Sequence, residues 1–324
     1  LSSILITGGA GFIGSHLTQH LLEKYPDRRI TIVDDLSTGL SENIDLLRKT
    51  RGSHRLTFIT ETVSRALPNL EDQSFDQIYH LAAAVGVRLI LDEPIKTIET
   101  NVLETAQLLR YAKSRNAAVL IASSSEVYGK SNAIPFSEGQ DVVYGSTTFT
   151  RWSYACTKAL DEYLALAYWN QHRLPAVIAR FFNTVGPRQV GDYGMVLPRF
   201  VKAALTNEPL RVYGDGSQIR CFCDVRDVVR VLPELLHLEK CHGYVFNIGN
   251  DQPITIKNLA ELVIDTLGSD STIEFVPYEE AYAAGFEDLA ARQPDLSRLN
   301  AATGFEPSIA LTSTILEISR SLRN

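Results

Sequence analysis

The 324-residue sequence predicts an α/β protein: a doubly wound parallel sheet followed by a smaller C-terminal α/β lobe. Three observations predict it. Apolar β-type runs alternate with helix-period stretches from Ile4 to Arg180, the pattern of repeated β-α units. A glycine-rich turn joins the first strand to the first helix. From about Gly186 the texture changes to longer loops and shorter strands, with no low-complexity linker. The expected division is therefore 1–185 and 186–324, with chain crossings between the two parts. A prior of about 150 residues per domain agrees with two units.

Each element follows from its local pattern. Ile4 to Thr7 is an apolar run ended by glycines, and Ile13, Leu17 and Leu21 then mark one helix face. Buried strands are expected at Ile30–Val33, Leu56–Ile59, Gln77–Ala83, Ala118–Ala122 and Ala176–Arg180. Helices are expected around Val102–Ala112 and from Tyr154 to Gln171. The second part offers strands at Leu210–Tyr213, Val245–Ile248 and Ile273–Val276, with helices after Ile256 and Ala310.

Composition excludes several function classes. With 45% hydrophobic and 21% charged residues the chain has ample material for a core. Acidic residues outnumber basic ones, 38 to 31, for a net charge of −7, which argues against a nucleic-acid partner that needs a basic field. No stretch approaches the roughly 20 apolar residues that span a bilayer, so no membrane association is expected. The four cysteines, Cys156, Cys221, Cys223 and Cys241, form no zinc spacing. They read as small reduced apolar residues in a cytoplasmic protein, and no metal is expected.

Gly8, Gly11 and Gly14 form G-x-x-G-x-x-G between the first strand and the first helix. Gly8 and Gly11 permit a tight turn and close approach to a diphosphate, with Phe12 and Ile13 opening the helix, and Gly14 lets the helix pack on the strand. About 20 residues on, Asp34 ends the second strand, where a carboxylate hydrogen-bonds the ribose hydroxyls and repels a 2′-phosphate. Together these imply bound NAD rather than NADP, with Asp35 the weaker candidate. Further on, Tyr154 and Lys158 lie four apart on one helix face. An ammonium beside a phenol, plus the positive nicotinamide of an oxidised cofactor, favours the phenolate. Tyr154 is then a general base for a hydroxyl proton.

The chain resembles the extended short-chain dehydrogenase/reductases that modify nucleotide sugars. The resemblance is carried by the glycine fingerprint, Tyr154-x-x-x-Lys158, Tyr79-His80-Leu81-Ala82-Ala83, Ser123-Ser124-Ser125-Glu126, Arg180 to Arg188, Val212 to Gly216 and Phe246 to Asn250. It implies a Rossmann-type first domain holding NAD, a C-terminal lobe for a nucleotide sugar (a UDP-sugar favoured), and a homodimer through paired helices. Along the cofactor it implies Leu81, Ala82, Ala83 and Asn101; on the substrate it implies Asn183, Arg188, Arg199, Arg220 and Val87. The arginines have a second reading, as a diphosphate clamp or solvated charges. The expected adenine-pocket Gly-Asp is here Glu61-Thr62. His16 and His80 read as packing or surface residues.

The reaction is narrowed by Ser125-Glu126. The 4,6-dehydratases resembled here carry Asp-Glu at these positions, and Ser125 leaves no carboxylic acid for elimination. Ser-Glu resembles the UDP-glucuronate decarboxylases, as do Arg151-Trp152-Ser153-Tyr154 and the stretch from Arg220 to Asp227. Oxidation at carbon 4 of a glucuronosyl group makes a β-keto acid, which loses carbon dioxide readily. The expectation is Tyr154, Lys158 and Ser124 as the catalytic set, with Ser125 and Glu126 beside the sugar and Arg220 holding the substrate's charge. Glu126 as a structural ion-pair partner is the plainer reading. A UDP-sugar 4-epimerase is the alternative, needing the same Tyr154, Lys158 and NAD. A non-catalytic NAD sensor would not need to keep Ser124, Tyr154 and Lys158 together.

Overall fold

The computed structural model describes residues 2–84, 92–190, 195–277, 280, 289 and 291–323. Its centre is a seven-stranded parallel sheet. Six strands come from the first part: β1 (Ser2–Thr7), β2 (Arg28–Val33), β3 (Leu56–Ile59), β4 (Gln77–His80), β5 (Ala118–Ser124) and β6 (Ala176–Phe181). The seventh, Tyr244–Ile248, returns from the second part to pair with β6. From that edge the order is 244–248, β6, β5, β4, β1, β2, β3. The chain therefore reverses direction across the sheet between β1 and β4, which opens a crevice at their carboxyl ends.

Both sheet faces are buried, which is why the strands read as continuous apolar runs. Ile4 and Ile6 pack with Leu17 and Leu21 of helix Phe12–Lys24 and with Val228 and Leu232 of helix Val225–His237. On the opposite face Leu5, Ile78 and Val119 meet Leu108 and Ala112 of helix Pro94–Arg115 and Ala165 of helix Ser153–His172. Residues after 186 thus supply one strand and one helix of the first layer. The rest of the second part has its own core, where helices Val196–Leu205, Ile256–Leu267 and Leu311–Arg323 pack together beside the parallel pair Leu210–Tyr213 and Ile273–Val276.

Two boundaries differ from expectation for a physical reason. The strand read as Gln77–Ala83 ends at His80, because Leu81–Ala83 leave the ladder to line the crevice. The helix read as Val102–Ala112 runs from Pro94 to Arg115, its proline sitting in the first turn where no N–H is required. All four cysteines are unpaired, and three are buried. No helix among the described residues is long and apolar enough to cross a membrane.

Candidate active site

The crevice at the ends of β1 and β4 widens into a cleft of ≈ 840 Å³ that reaches the second lobe. Its floor begins with the glycine turn. Gly8 adopts φ +72°, and a Cβ there would lie 2.6 Å from the Ala82 nitrogen. A Cβ on Gly14 would overlap the Gly8 carbonyl oxygen. Side chains are thus excluded where the first loop presses on the β4 loop and on its own helix. The N-terminus of helix Phe12–Lys24 opens here with unfilled N–H groups, suited to a diphosphate.

Asp34 lies where a ribose recogniser must be. Its Oδ2 accepts from the Ala10 N–H at 2.8 Å and its Oδ1 from the Leu36 N–H at 2.9 Å, so the carboxylate is held rigidly and faces the cleft. Burial pushes its carboxyl above the usual range, against those two hydrogen bonds. Glycine cradle, helix terminus and fixed carboxylate together fit a dinucleotide. Asp34→Ser should weaken NAD binding by about 10-fold or more, the loss of one charged hydrogen bond, and narrow the preference over NADP. Isothermal titration with both nucleotides measures it, and unchanged affinity would remove Asp34 from the ribose.

Asn101, expected along the cofactor, does not line the cleft. It is buried beneath it, where its Oδ1 accepts from the Ala84 N–H at 2.8 Å and its amide donates to Thr157 Oγ1 at 3.2 Å. Asn101 straps the β4 loop to helix 153–172 instead. His80 is no surface residue. Its Nδ1 meets Thr7 Oγ1 at 2.7 Å and its Nε2 meets Thr105 Oγ1 at 3.0 Å, and burial, assisted by Lys158, holds it uncharged with a pKa of about 3. His16 is also buried, hydrogen-bonded to the Phe12 carbonyl, and pushed down to about 4 by burial and Arg188.

The serine, tyrosine and lysine converge on the cleft. Ser124 ends β5, its Oγ accepts from the Glu126 N–H at 3.2 Å, and it lines the cleft together with Tyr154. Tyr154 and Lys158 are buried, with 6% and 2% of their surface exposed. Burial raises the tyrosine pKa, Lys158 opposes this, and Glu126 adds to it, so the phenol lies above its ordinary range. The acidification expected of Lys158 is therefore insufficient in the protein alone. Part of the reason is Asp161, whose Oδ2 sits 2.9 Å from Lys158 Nζ.

Glu126 follows Ser125 in a short 3-10 turn and is enclosed between two guanidiniums. Arg151, from the turn before helix 153–172, approaches its Oε2 at 2.7 Å. Arg292 pairs with its Oε1 from the second lobe. Burial would push this carboxyl up, but Arg292 and Arg151 outweigh it and hold it at about 2. Glu126 is a permanent carboxylate at physiological pH, and it fastens the two lobes together across the cleft. Arg292 reaches it because Ala291–Arg292 pairs in parallel with Ile219–Arg220, placing Arg292 beside Arg220.

Arg220 itself is buried and donates to the Ile219 and Leu289 carbonyls at 2.8 and 2.9 Å. Asn183, expected on the substrate, turns the chain at φ +20°, donates to the Cys221 carbonyl and lines the cleft. Arg188 bonds Gln19 of the first helix, and Arg199 stacks over the Tyr213 ring at 4.7 Å; both line the cleft. Val87 lies outside the described residues. Sequence reasoning missed Arg292 and Asp161 altogether. A buried glutamate announces that cations must meet it, but nothing in a single sequence says which distant arginine arrives.

Known proteins share both sequence and arrangement. The chain is 40% identical over 307 residues to the UDP-N-acetyl-alpha-D-glucosaminuronate decarboxylase of Bacillus cytotoxicus, covering 94% of this chain and 93% of that protein. It is 36% identical over 310 residues to UDP-glucuronic acid decarboxylase 6 of Arabidopsis thaliana, covering 95% and 85%. Among solved structures, UDP-glucuronic acid 4-epimerase from Bacillus cereus, in complex with UDP-glucuronic acid and NAD, superposes with a TM-score of 0.86 at 28% identity, over 99% of each chain. Residues 5–318 match the family described as GDP-mannose 4,6 dehydratase. A match of that extent means that the chain belongs to this family, within the extended short-chain dehydrogenase/reductases.

Proposed function

We propose that this enzyme decarboxylates a UDP-linked uronic acid, UDP-glucuronate in the first instance, after transient oxidation at carbon 4 of the sugar. One observation carries the reading: Ser125 stands in the cleft where a dehydratase would need a carboxylic acid, next to Ser124, Tyr154 and an ionised Glu126. The relatives named as decarboxylases of UDP-glucuronate and of its 2-acetamido counterpart support it.

NAD, held by the glycine turn and Asp34, supplies the redox chemistry by accepting hydride from carbon 4 and returning it. Tyr154 takes the proton of the carbon-4 hydroxyl. The β-keto acid so formed loses carbon dioxide, and its carboxylate charge moves onto the carbon-4 oxygen as an enolate. Ser124 and Tyr154 are positioned to donate hydrogen bonds to that oxygen. Arg151 and Arg292 line the cleft, where guanidiniums attract the substrate carboxylate before the loss and favour the enolate after it. Protonation at carbon 5 completes the pentose. Return of hydride gives UDP-xylose, and early release gives the 4-keto pentose.

We assign residues 186–324, apart from helix 225–237 and strand 244–248, to the nucleotide-sugar lobe, with Asn183, Arg188, Arg199 and Arg220 on the substrate. Ile95, Ile98 and Leu103 on helix 94–115, with Leu160 and Tyr163 on helix 153–172, are exposed apolar side chains on two helices packed together. That face suits a homodimer of paired helices. The unpaired cysteines suit a reducing, cytoplasmic compartment.

The test is incubation of the NAD-loaded protein with UDP-glucuronate, and separately with its 2-acetamido analogue, followed by mass spectrometry. Loss of carbon dioxide from either establishes decarboxylation and selects the substrate. Unchanged mass with inverted carbon-4 stereochemistry by NMR would replace the reading with a 4-epimerase, the activity named for the Bacillus cereus neighbour.

A further inference from the structure

We propose that Asp161 is a positioning residue which, as the buried counter-ion of Lys158, fixes the ammonium one helical turn from Tyr154 and makes ionisation of the phenol wait for the positively charged oxidised cofactor. The inference rests on Tyr154 being the base, as proposed above.

The geometry is that of a committed pair. Asp161 Oδ2 lies 2.9 Å from Lys158 Nζ, three residues along one helix, with side-chain exposures of 1% and 2%. Burying two charges costs several kcal/mol before their attraction repays it, and apolar replacements often serve stability as well or better. A buried pair touching a catalytic group therefore calls for a reason beyond stability.

Charge accounting supplies one. The ionisable groups facing Tyr154 and Lys158 come from several elements, and most are already compensated. Glu126 is matched by Arg151 and Arg292. Glu162, next to Asp161, is matched by Arg180 at 2.6 Å. His80 on β4 is uncharged. Asp161 is thus the one carboxylate among these that is spent on Lys158. Burial alone would make the ammonium give up its proton easily; Asp161, joined by Tyr154 and Glu162, outweighs this and keeps Lys158 charged. At Tyr154 burial is the largest influence, and Glu126 and then Asp161 add to it against Lys158. In the protein alone the phenol is left above its ordinary range, and the charge that tips it arrives with the oxidised cofactor.

Two measurements test this. First, the phenolate of Tyr154 is titrated in the wild type by near-ultraviolet absorbance, with Tyr154→Phe as the blank, in the presence and absence of NAD. The midpoint is expected to drop by about one pH unit or more when NAD binds. A midpoint indifferent to NAD would overturn the coupling. Second, the titration and the pH profile of kcat are repeated in Asp161→Asn. Tyr154 and Lys158 lose their protons as a coupled pair, so removing a nearby negative charge lowers both macroscopic steps, whichever group gives up its proton first. Both limbs of the profile and the phenolate midpoint should therefore move about one unit toward acid. A merely structural aspartate would lower the height of the profile or the melting temperature and leave the limbs in place, which would overturn the proposal. If Asp161→Asn does not fold, the same two readings are taken on Asp161→Ser, which also removes the charge; limbs and midpoint that stay at their wild-type positions overturn the proposal. If instead Tyr154→Phe keeps wild-type turnover, the assignment of the base fails, separately from the role of Asp161.

Discussion

Tyr154→Phe is expected to lower kcat by roughly 10²–10⁴-fold, the usual contribution of a positioned acid–base group, while NAD still binds. The reasoning is local. The substitution removes one oxygen from a buried ring at the end of the cleft, and the ring's own packing is retained. The glycine turn and Asp34, proposed to hold the far half of the dinucleotide, are untouched. Fluorescence or calorimetric titration should return a near-native NAD affinity, and circular dichroism a native spectrum. Turnover is read as release of carbon dioxide from UDP-glucuronate. A loss below 10-fold would mean that another group takes the carbon-4 proton.

The pH dependence follows from the same residues. Tyr154 must be ionised to accept a proton, and burial keeps its pKa above the ordinary range in the protein alone. Activity should rise as pH increases through the tyrosine's cofactor-bound pKa, and fall again only where Lys158 loses its proton. Asp161 holds that second limb at high pH by favouring the ammonium.

What could be read from the chain and what could not divide along a physical line. Local patterns were legible: the alternation of strands and helices, the glycine turn, Asp34 at the end of β2, and Tyr154 and Lys158 on one helix face. These depend on periodicity or on short spacings. Residues brought together by tertiary structure were not. Arg292 reaches Glu126 only because a two-residue strand pairs beside Arg220, and no spacing announces that pairing. Asn101 was placed along the cofactor by the family resemblance, but its side chain is spent on the backbone of the β4 loop. Asp161 was legible in principle. Lys158 and Asp161 are three apart, hence neighbours on a helix, and a lysine that must be buried for catalysis requires a counter-ion.

Glu126→Gln is expected to have the largest effect on stability, and its sign can be worked out. In the folded protein the carboxyl is held at about 2 instead of its ordinary 4.5. A depressed carboxyl contributes stability that is fully present above its unfolded pKa and is lost as pH falls through the folded one. The wild type should therefore hold this contribution down to about pH 4.5 and lose it between there and about pH 2. Glutamine removes it at every pH and takes away the carboxylate that two buried guanidiniums share. Breaking a buried pair in this way costs roughly 3–5 kcal/mol, which denaturant unfolding at neutral pH would measure. Adding Arg292→Met should recover part of that loss, since one of the two cations that Glu126 met is then gone. Catalysis should not recover with it, because Arg292 is needed where the substrate's carboxylate charge moves to the carbon-4 oxygen. Stability that rises in the double variant while turnover stays low would separate the two roles of the cluster. Turnover that rises in step with stability would reduce Glu126 and Arg292 to a clasp between the lobes.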